Sequence, residues 1–515
     1  MATPEVFSDL LQTTFKGVQT ADGVFQFRNI KYASVPKRFA RSELVKSYEG
    51  QVVDATEHGP HPPGRIVPPG GDAEIALFAI PEAKRYPVQP IHDEFDCLNL
   101  SITIPATQTE LLPVLINIPG GANTRCINGI SLFDYTRLVS DSIAQKKPII
   151  AIHVPYRVGL FGYGLLPNGK GGGNNGLFDQ RNAFEWVKRH IKAFGGDPAN
   201  ITVAGESAGA FSVDCHLQSN DSVPYFRRAV LQSGTLRVLR PSSVEKRVEL
   251  TRRAAAALGF DGEDWPERLA AASVEDIRQA QDKIGMFSIS AVDDGEFFQK
   301  GIDVGKPIVP EWVDSIMIGD CGYEGFLWLP KFKHIEASKI IAVLESQGEL
   351  GKAVLTAYPG LTSSDREVSL DATLYLLQDL SFSHPNSALT AAYKALDKPV
   401  YSYLFDQHNP WEPKKHRSHH ACDLLFWFNG YDFSSTVDAK GNQDVSEAMK
   451  RALISYTNGE NPWDDSEVMG FGPDGFVGTV AKENEGKTRR VHVYEILDKY
   501  PAEEVLKLSD VILAV

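Results

Sequence analysis

Positive charge is the first thing this chain is short of. Its 66 acidic side chains outnumber 52 lysines and arginines, for a net charge of −14 at pH 7. A nucleic-acid partner asks for a basic face and an anionic membrane for a basic patch, so both are disfavoured. Cysteine is scarce as well. Cys97, Cys126, Cys215, Cys321 and Cys422 are odd in number and widely spaced, with no CxxC pair. That pattern excludes a disulfide framework and carries no zinc signature. Long apolar runs are missing too: IIAIHVP at 149–155 is typical of the longest and far too short for a membrane span. The opening residues, MATPEVFSDLLQTTFKG, lack a basic stretch followed by an apolar one. With the isolated thiols, this predicts a reducing, cytoplasmic setting. Asn-x-Ser/Thr patterns at Asn99, Asn200 and Asn220 are short enough to arise by chance.

What is present reads as one large globular unit. No repeat, low-complexity tract or Pro/Ser linker interrupts the 515 residues, so a single domain over 1–515 is expected. Residues 114–118 (VLINI) and 149–154 (IIAIHV) are short apolar runs bounded by Pro or Gly, the pattern of buried parallel strands. Between Asp179 and Phe194, the apolar residues Phe184, Val187, Ile191 and Phe194 recur at helical spacing. Gly195-Gly196-Asp197-Pro198 then stops the helix, and ITVA at 201–204 resumes a strand. This βαβ rhythm implies an α/β sheet with helices on both faces. VYSYLF at 400–405 and VHVYEI at 491–496 are read as further strands. Residues 241–281, rich in Ala, Arg and Glu, are read as helical, within an insertion over about 235–320 that covers the sheet edge.

The strand at 201–204 runs into Gly205-Glu206-Ser207-Ala208-Gly209, a G-x-S-x-G nucleophile elbow followed by residues able to start a helix. The glycines suit a turn too tight for side chains. The Ser207 hydroxyl then sits at a helix N-terminus, where free N–H groups favour developing negative charge. Pro119-Gly120-Gly121-Ala122 follows the strand VLINI. The N–H groups of Gly120, Gly121 and Ala122 are candidates, with that of Ala208, for an oxyanion hole. Gly171 to Gly176 formally match GxGxxG, but no strand leads into them and no Lys-Ser/Thr follows, so a loop is the reading rather than a nucleotide site.

These motifs resemble the type-B carboxylesterase/lipase family, which includes cholinesterases and fungal lipases. The resemblance extends through GVFQFRNIKYA at 23–33, Asp96-Cys97-Leu98-Asn99-Leu100, YRVGLFG at 156–162, NGLFDQ at 175–180, FGGDP at 194–198 and Gln232-Ser233-Gly234. It implies an α/β-hydrolase fold and a serine hydrolase that cleaves carboxylic esters without a cofactor. Family order places an acid and then a histidine after the serine. Glu324, in Gly322-Tyr323-Glu324-Gly325, matches the acid-bearing loop, with Asp320 as competitor. Among the clustered His416, His419 and His420, the resemblance favours His420, three residues before Asp423-Leu424, with His419 as runner-up. A metal site on His416 and His420 lacks a third ligand and the HExxH glutamate. The aromatic run at 426–428 and the insertion are expected to wall the pocket.

Two departures from the family stand out. Pro119 and Ala122 replace residues of the usual His-Gly-Gly-Gly, so esters of bulky or tertiary alcohols are expected to be poorer substrates. Cys97 has no earlier cysteine with which to form the bridge that secreted relatives carry. Two rival readings of the whole use the same fold: transfer of the acyl group to another alcohol or amine, and a catalytically silent binding protein.

Overall fold

Alternation along the strands decides how the core is divided. In Leu112–Ile118, Val114, Ile116 and Ile118 enter one apolar cluster while Leu115 enters another. Arg228–Gln232 does the same, with Ala229 and Leu231 on one side and Val230 on the other. Successive side chains on a strand point to opposite faces, so a sheet covered on both sides needs apolar residues at every position. That is why these runs read as continuously hydrophobic.

The computed structural model describes residues 3–65, 78–81, 91–126, 131–167, 172–221, 223–481, 484 and 488–515. Eleven strands among them form one sheet. In chain order they are β1 (Val18–Ala21), β2 (Val24–Lys31), β3 (Asn99–Pro105), β4 (Leu112–Ile118), β5 (Ile150–His153), β6 (Gly196–Glu206), β7 (Arg228–Gln232), β8 (Ser315–Cys321), β9 (Val400–Phe405), β10 (Val468–Phe471) and β11 (Val477–Thr479). Across the sheet the order is β11-β10-β9-β8-β7-β6-β4-β5-β3-β2-β1. Strands β5, β4, β6, β7, β8, β9 and β10 are mutually parallel, and antiparallel strands close both edges. This is an α/β-hydrolase fold, a large and mostly parallel sheet flanked by helices.

The helix expected before Gly195 spans Asn175–His190 and ends in a 3₁₀ turn, Ile191–Phe194, with Gly195 left-handed at φ 80°. Its N-terminal part is pinned where two of the sequence motifs meet. The buried Arg157 donates through Nε and Nη2 to the two oxygens of Asp179, both at 2.7 Å. All five cysteines are buried free thiols. Among the described residues, no helix is long and apolar enough to cross a membrane.

Three expectations need correction. Residues 491–496 are not a strand but part of the helix Val491–Leu497. Its buried residues Val493, Tyr494 and Leu497 fall at helical spacing and pack into a third cluster with the helices of residues 337–378 and 502–513, so packing overrides the β-branched alternation. The insertion is helical over Val244–Ala256, Trp265–Ala271 and Val274–Lys283, but its expected end includes Ser315–Cys321, which is central strand β8. Nor does it cover an edge. Gln281 accepts from Leu160 N at 2.9 Å, which seats the insertion on the segment after the interior strand β5, and Asp282 pairs with Arg65 from the segment before β3. Phe426, Trp427 and Phe428 wall no open pocket either. They are fully buried and pack edge-on or tilted against Phe405, Tyr403 and Tyr135.

Candidate active site

Parallel strands deliver their C-terminal ends to one rim of the sheet, and loops leaving that rim are where ligands bind in open α/β sheets. Register brings the relevant loops together. Gly205 of β6 pairs with Ile118 of β4, and Glu206 with Gln232 of β7, so the segments after 118, 206 and 232 start side by side.

Between β6 and the helix Ala208–Leu217, the chain reverses direction at Ser207 with φ 56° and ψ −121°. A non-glycine residue held there stores about 1–3 kcal/mol of strain. The flanking glycines are sterically required. A Cβ on Gly205 would lie 2.3 Å from the Gly209 carbonyl carbon, and one on Gly209 would lie 2.1 Å from the Ile118 oxygen. From Ile201 to Gln218 every residue is buried except Ser207, which is half-buried. A strained turn inside a closed core thus presents one hydroxyl.

That hydroxyl meets His420. Ser207 Oγ lies 2.8 Å from His420 Nε2, and His420 Nδ1 lies 2.5 Å from Glu324 Oε2. A carboxylate accepts only, so Nδ1 carries the proton, and in the neutral imidazole Nε2 is left to accept from the serine. The other Glu324 oxygen accepts from Cys321 N at 2.6 Å and Ser233 Oγ at 2.5 Å, which fixes the carboxylate in its buried position. The competing residues are engaged elsewhere. Asp320 pairs with the buried Arg489 at 2.7 Å. His419 donates from Nδ1 to the His420 carbonyl at 2.7 Å and accepts at Nε2 from Asn409 at 3.0 Å, while burial holds its pKa down at about 3. It stays neutral and steadies the backbone of its neighbour. His416 turns away to the ring of Phe326 at 4.8 Å.

Three contributors escaped the sequence reading. Glu206, buried beside the serine, places Oε1 3.3 Å from His420 Nε2. Burial pushes its carboxyl up to about 8. Burial also opposes the His420 imidazolium, but Glu206 and Glu324 outweigh it and hold that pKa up at about 9. Asp423, raised by burial and by Glu324 to about 6, accepts from Tyr403 and Trp427. Phe382 sits on a π-helical turn, Asp379–Ser383, with its ring 4.9 Å from that of His420. A carboxylate directly preceding the elbow serine was visible in sequence, but only the structure aims it at His420.

On the opposite flank lies the loop after β4. A Cβ on Gly120 would lie 3.2 Å from Ser207 Cβ and 2.6 Å from the Glu206 carbonyl oxygen, which measures how closely the loop approaches the serine. Gly121, Ala122 and Asn123 all have positive φ, at 116°, 55° and 55°. Their carbonyls are taken by the N–H groups of Thr124, Ile289 and Gly159 respectively. Ala208 opens the helix that follows Ser207, where a backbone N–H has no acceptor within the helix. Gly120 and Ala208 thus lie beside the serine, and Gly121 and Ala122 continue the loop that Gly120 brings against it.

A family model described as "Carboxylesterase family" matches residues 11–473. Among curated relatives, Lipase 3 of Yarrowia lipolytica is 31% identical over 498 residues, covering 95% of each chain. Para-nitrobenzyl esterase of Bacillus subtilis is 29% identical over 464 residues, covering 86% of this chain and 88% of that protein. The solved structure of a thermophilic PNB esterase aligns with a TM-score of 0.76 at 25% identity, over 95% of this chain and 100% of that one.

Proposed function

This chain belongs to the carboxylesterase family and is a carboxylic ester hydrolase; within it we propose that Ser207, His420 and Glu324 form the catalytic triad. The observation that carries this reading is the unbroken relay from Ser207 Oγ to His420 at 2.8 Å and on to Glu324 at 2.5 Å, on a half-buried serine in a strained turn.

In the proposed mechanism, His420 Nε2 accepts the Ser207 proton as Oγ attacks the ester carbonyl carbon. Glu324 stabilises the imidazolium through the Nδ1–H bond without itself taking the proton. The N–H groups of Gly121, Ala122 and Ala208, with Gly120 shaping their approach, receive the charge that forms on the carbonyl oxygen. His420 then returns its proton to the leaving alcohol. Water, deprotonated by the same nitrogen, cleaves the acyl-serine and restores the hydroxyl. The substrate class is a small ester. The five unpaired thiols favour a cytoplasmic setting.

Steady-state hydrolysis of p-nitrophenyl butyrate by wild type and Ser207→Ala tests the assignment. Loss of the nucleophile removes about 10⁶-fold of kcat. A Ser207→Ala protein that turns over at the wild-type rate removes Ser207 from its role.

A further inference from the structure

The loop that bears the proposed oxyanion donors adopts a conformation its own sequence disfavours. Alanine gains nothing at φ 55°, and two consecutive non-glycine residues there, Ala122 and Asn123, need outside support. Asparagine tolerates that region better than most residues, yet Asn123 does more than tolerate it. Its side chain is completely buried and both of its polar atoms are used. Nδ2 donates to the Ile289 carbonyl at 3.0 Å, and Oδ1 accepts from the Tyr156 hydroxyl at 3.0 Å. The amide orientation is determined, because the Ile289 oxygen can only accept and must therefore face the nitrogen.

The two partners come from separate segments of the chain. Ile289 lies in the strap that follows the helical insertion. The strap answers Asn123 with Ile289 N donating to the Ala122 carbonyl at 3.1 Å and Phe287 O accepting from Thr124 Oγ1 at 3.1 Å. Tyr156 comes from the segment after β5, and its one hydroxyl hydrogen is shared between Asn123 Oδ1 at 3.0 Å and the Pro119 carbonyl at 3.1 Å. Burial raises the Tyr156 pKa well above its ordinary value, so the hydroxyl remains a donor throughout the working pH range. One side chain thus joins the sheet body, the insertion strap and the loop beside Ser207.

We propose that Asn123 is a positioning residue for ester hydrolysis: by bridging Tyr156 and Ile289 it holds Gly121 and Ala122 in the backbone conformation that aims their N–H groups at the developing oxyanion. The inference rests on the triad and oxyanion reading above. It makes Ile289 and its strap part of the catalytic support although they touch no reacting atom. It also gives the buried Asn123 a reason, since an apolar residue there would leave the Ile289 carbonyl without its donor and the Tyr156 hydroxyl with the Pro119 carbonyl alone.

The experiment compares Asn123→Leu, which keeps the number of side-chain heavy atoms and loses both bonds, with Tyr156→Phe, which removes one hydroxyl and is the milder lesion. Rates are expressed per fluorophosphonate-titrated site, so that misfolded protein is not counted. Donor misalignment lowers kcat about 10- to 100-fold in Asn123→Leu, below the full loss of an oxyanion donor. KM stays within about twofold, since the effect falls on the transition state. Affinity for a trifluoromethyl ketone, whose adduct carries the same oxyanion, falls in parallel with kcat/KM. Tyr156→Phe moves the same quantities in the same direction by less. The pH of the ascending limb of kcat/KM stays in place in both, because His420 is untouched. Wild-type kcat and ketone affinity per titrated site in both variants overturn the role of Asn123, as does a change confined to melting temperature. Ser207→Ala run alongside separates the two levels. If it retains hydrolysis, the underlying triad reading fails; if it is dead while Asn123→Leu is unimpaired, only the inference about Asn123 fails.

Discussion

On one flank of Ser207, the residues from Pro119 to Thr124 are held by neutral groups: backbone carbonyls, an amide, a phenol and a threonine hydroxyl. On the other, Glu206, Glu324, Asp423 and His420 crowd into a buried space in which the pKa values of Glu206, His420 and Asp423 are all raised. The first flank stores backbone strain and depends on close approach. The second depends on charge that burial makes costly, compensated by hydrogen bonds from Cys321, Ser233, Tyr403 and Trp427. The division suits the chemistry proposed for each side. Oxyanion donors need fixed direction and no titration, whereas a general base must gain and lose a proton twice per turnover.

Each flank should therefore fail in its own way. The largest effect belongs to the charged side. Glu324→Gln keeps the shape but can offer His420 Nδ1 a donor in place of an acceptor, favouring the wrong tautomer. Its kcat should fall about 10⁴-fold, read by ester hydrolysis per titrated site. A loss smaller than tenfold would place the orienting carboxylate elsewhere. Next comes Gly120→Ala on the neutral side. The added methyl would sit 2.6 Å from the Glu206 carbonyl oxygen and 2.8 Å from its Oε2, so the loop must shift away from the serine. A fall of about 10²–10³-fold in kcat is expected, with the pH profile unmoved. Unchanged kcat would show that this flank is more pliant than its packing implies.

The smallest effect separates the flanks most cleanly. Glu206 stabilises the His420 imidazolium, so Glu206→Gln lowers the His420 pKa. Activity needs neutral His420, so the ascending limb of kcat/KM moves to lower pH. A limb that stays fixed, or moves up, contradicts the electrostatic role given to Glu206.

The two flanks also differed in how far they could be read from sequence. The elbow and the loop after β4 were legible because each is a short run of consecutive residues with its own pattern. Gly205 and Gly209 exclude a Cβ within a few residues of the serine, and strand runs such as VLINI declare themselves by burial on both faces. The helix Asn175–His190 was visible through its apolar spacing and its glycine stop. His420 was distinguished from His419 only through family resemblance, since their physical difference lies in partners far along the chain, Ser207 and Glu324 for one and Asn409 for the other. The support given by Ile289 to Asn123 joins residues 166 positions apart, beyond any local pattern. Residues 491–496 were misread because valine alternation resembles a strand until a third cluster of helices is there to receive Val493 and Leu497.

The most direct test of the central claim is the site and stoichiometry of fluorophosphonate modification, measured by intact mass and peptide mapping. The account predicts one phosphonyl group per chain, on the peptide containing Ser207, with hydrolysis lost in proportion and no adduct on Ser207→Ala. Modification at another serine that abolishes hydrolysis, or undiminished labelling of Ser207→Ala, would contradict it.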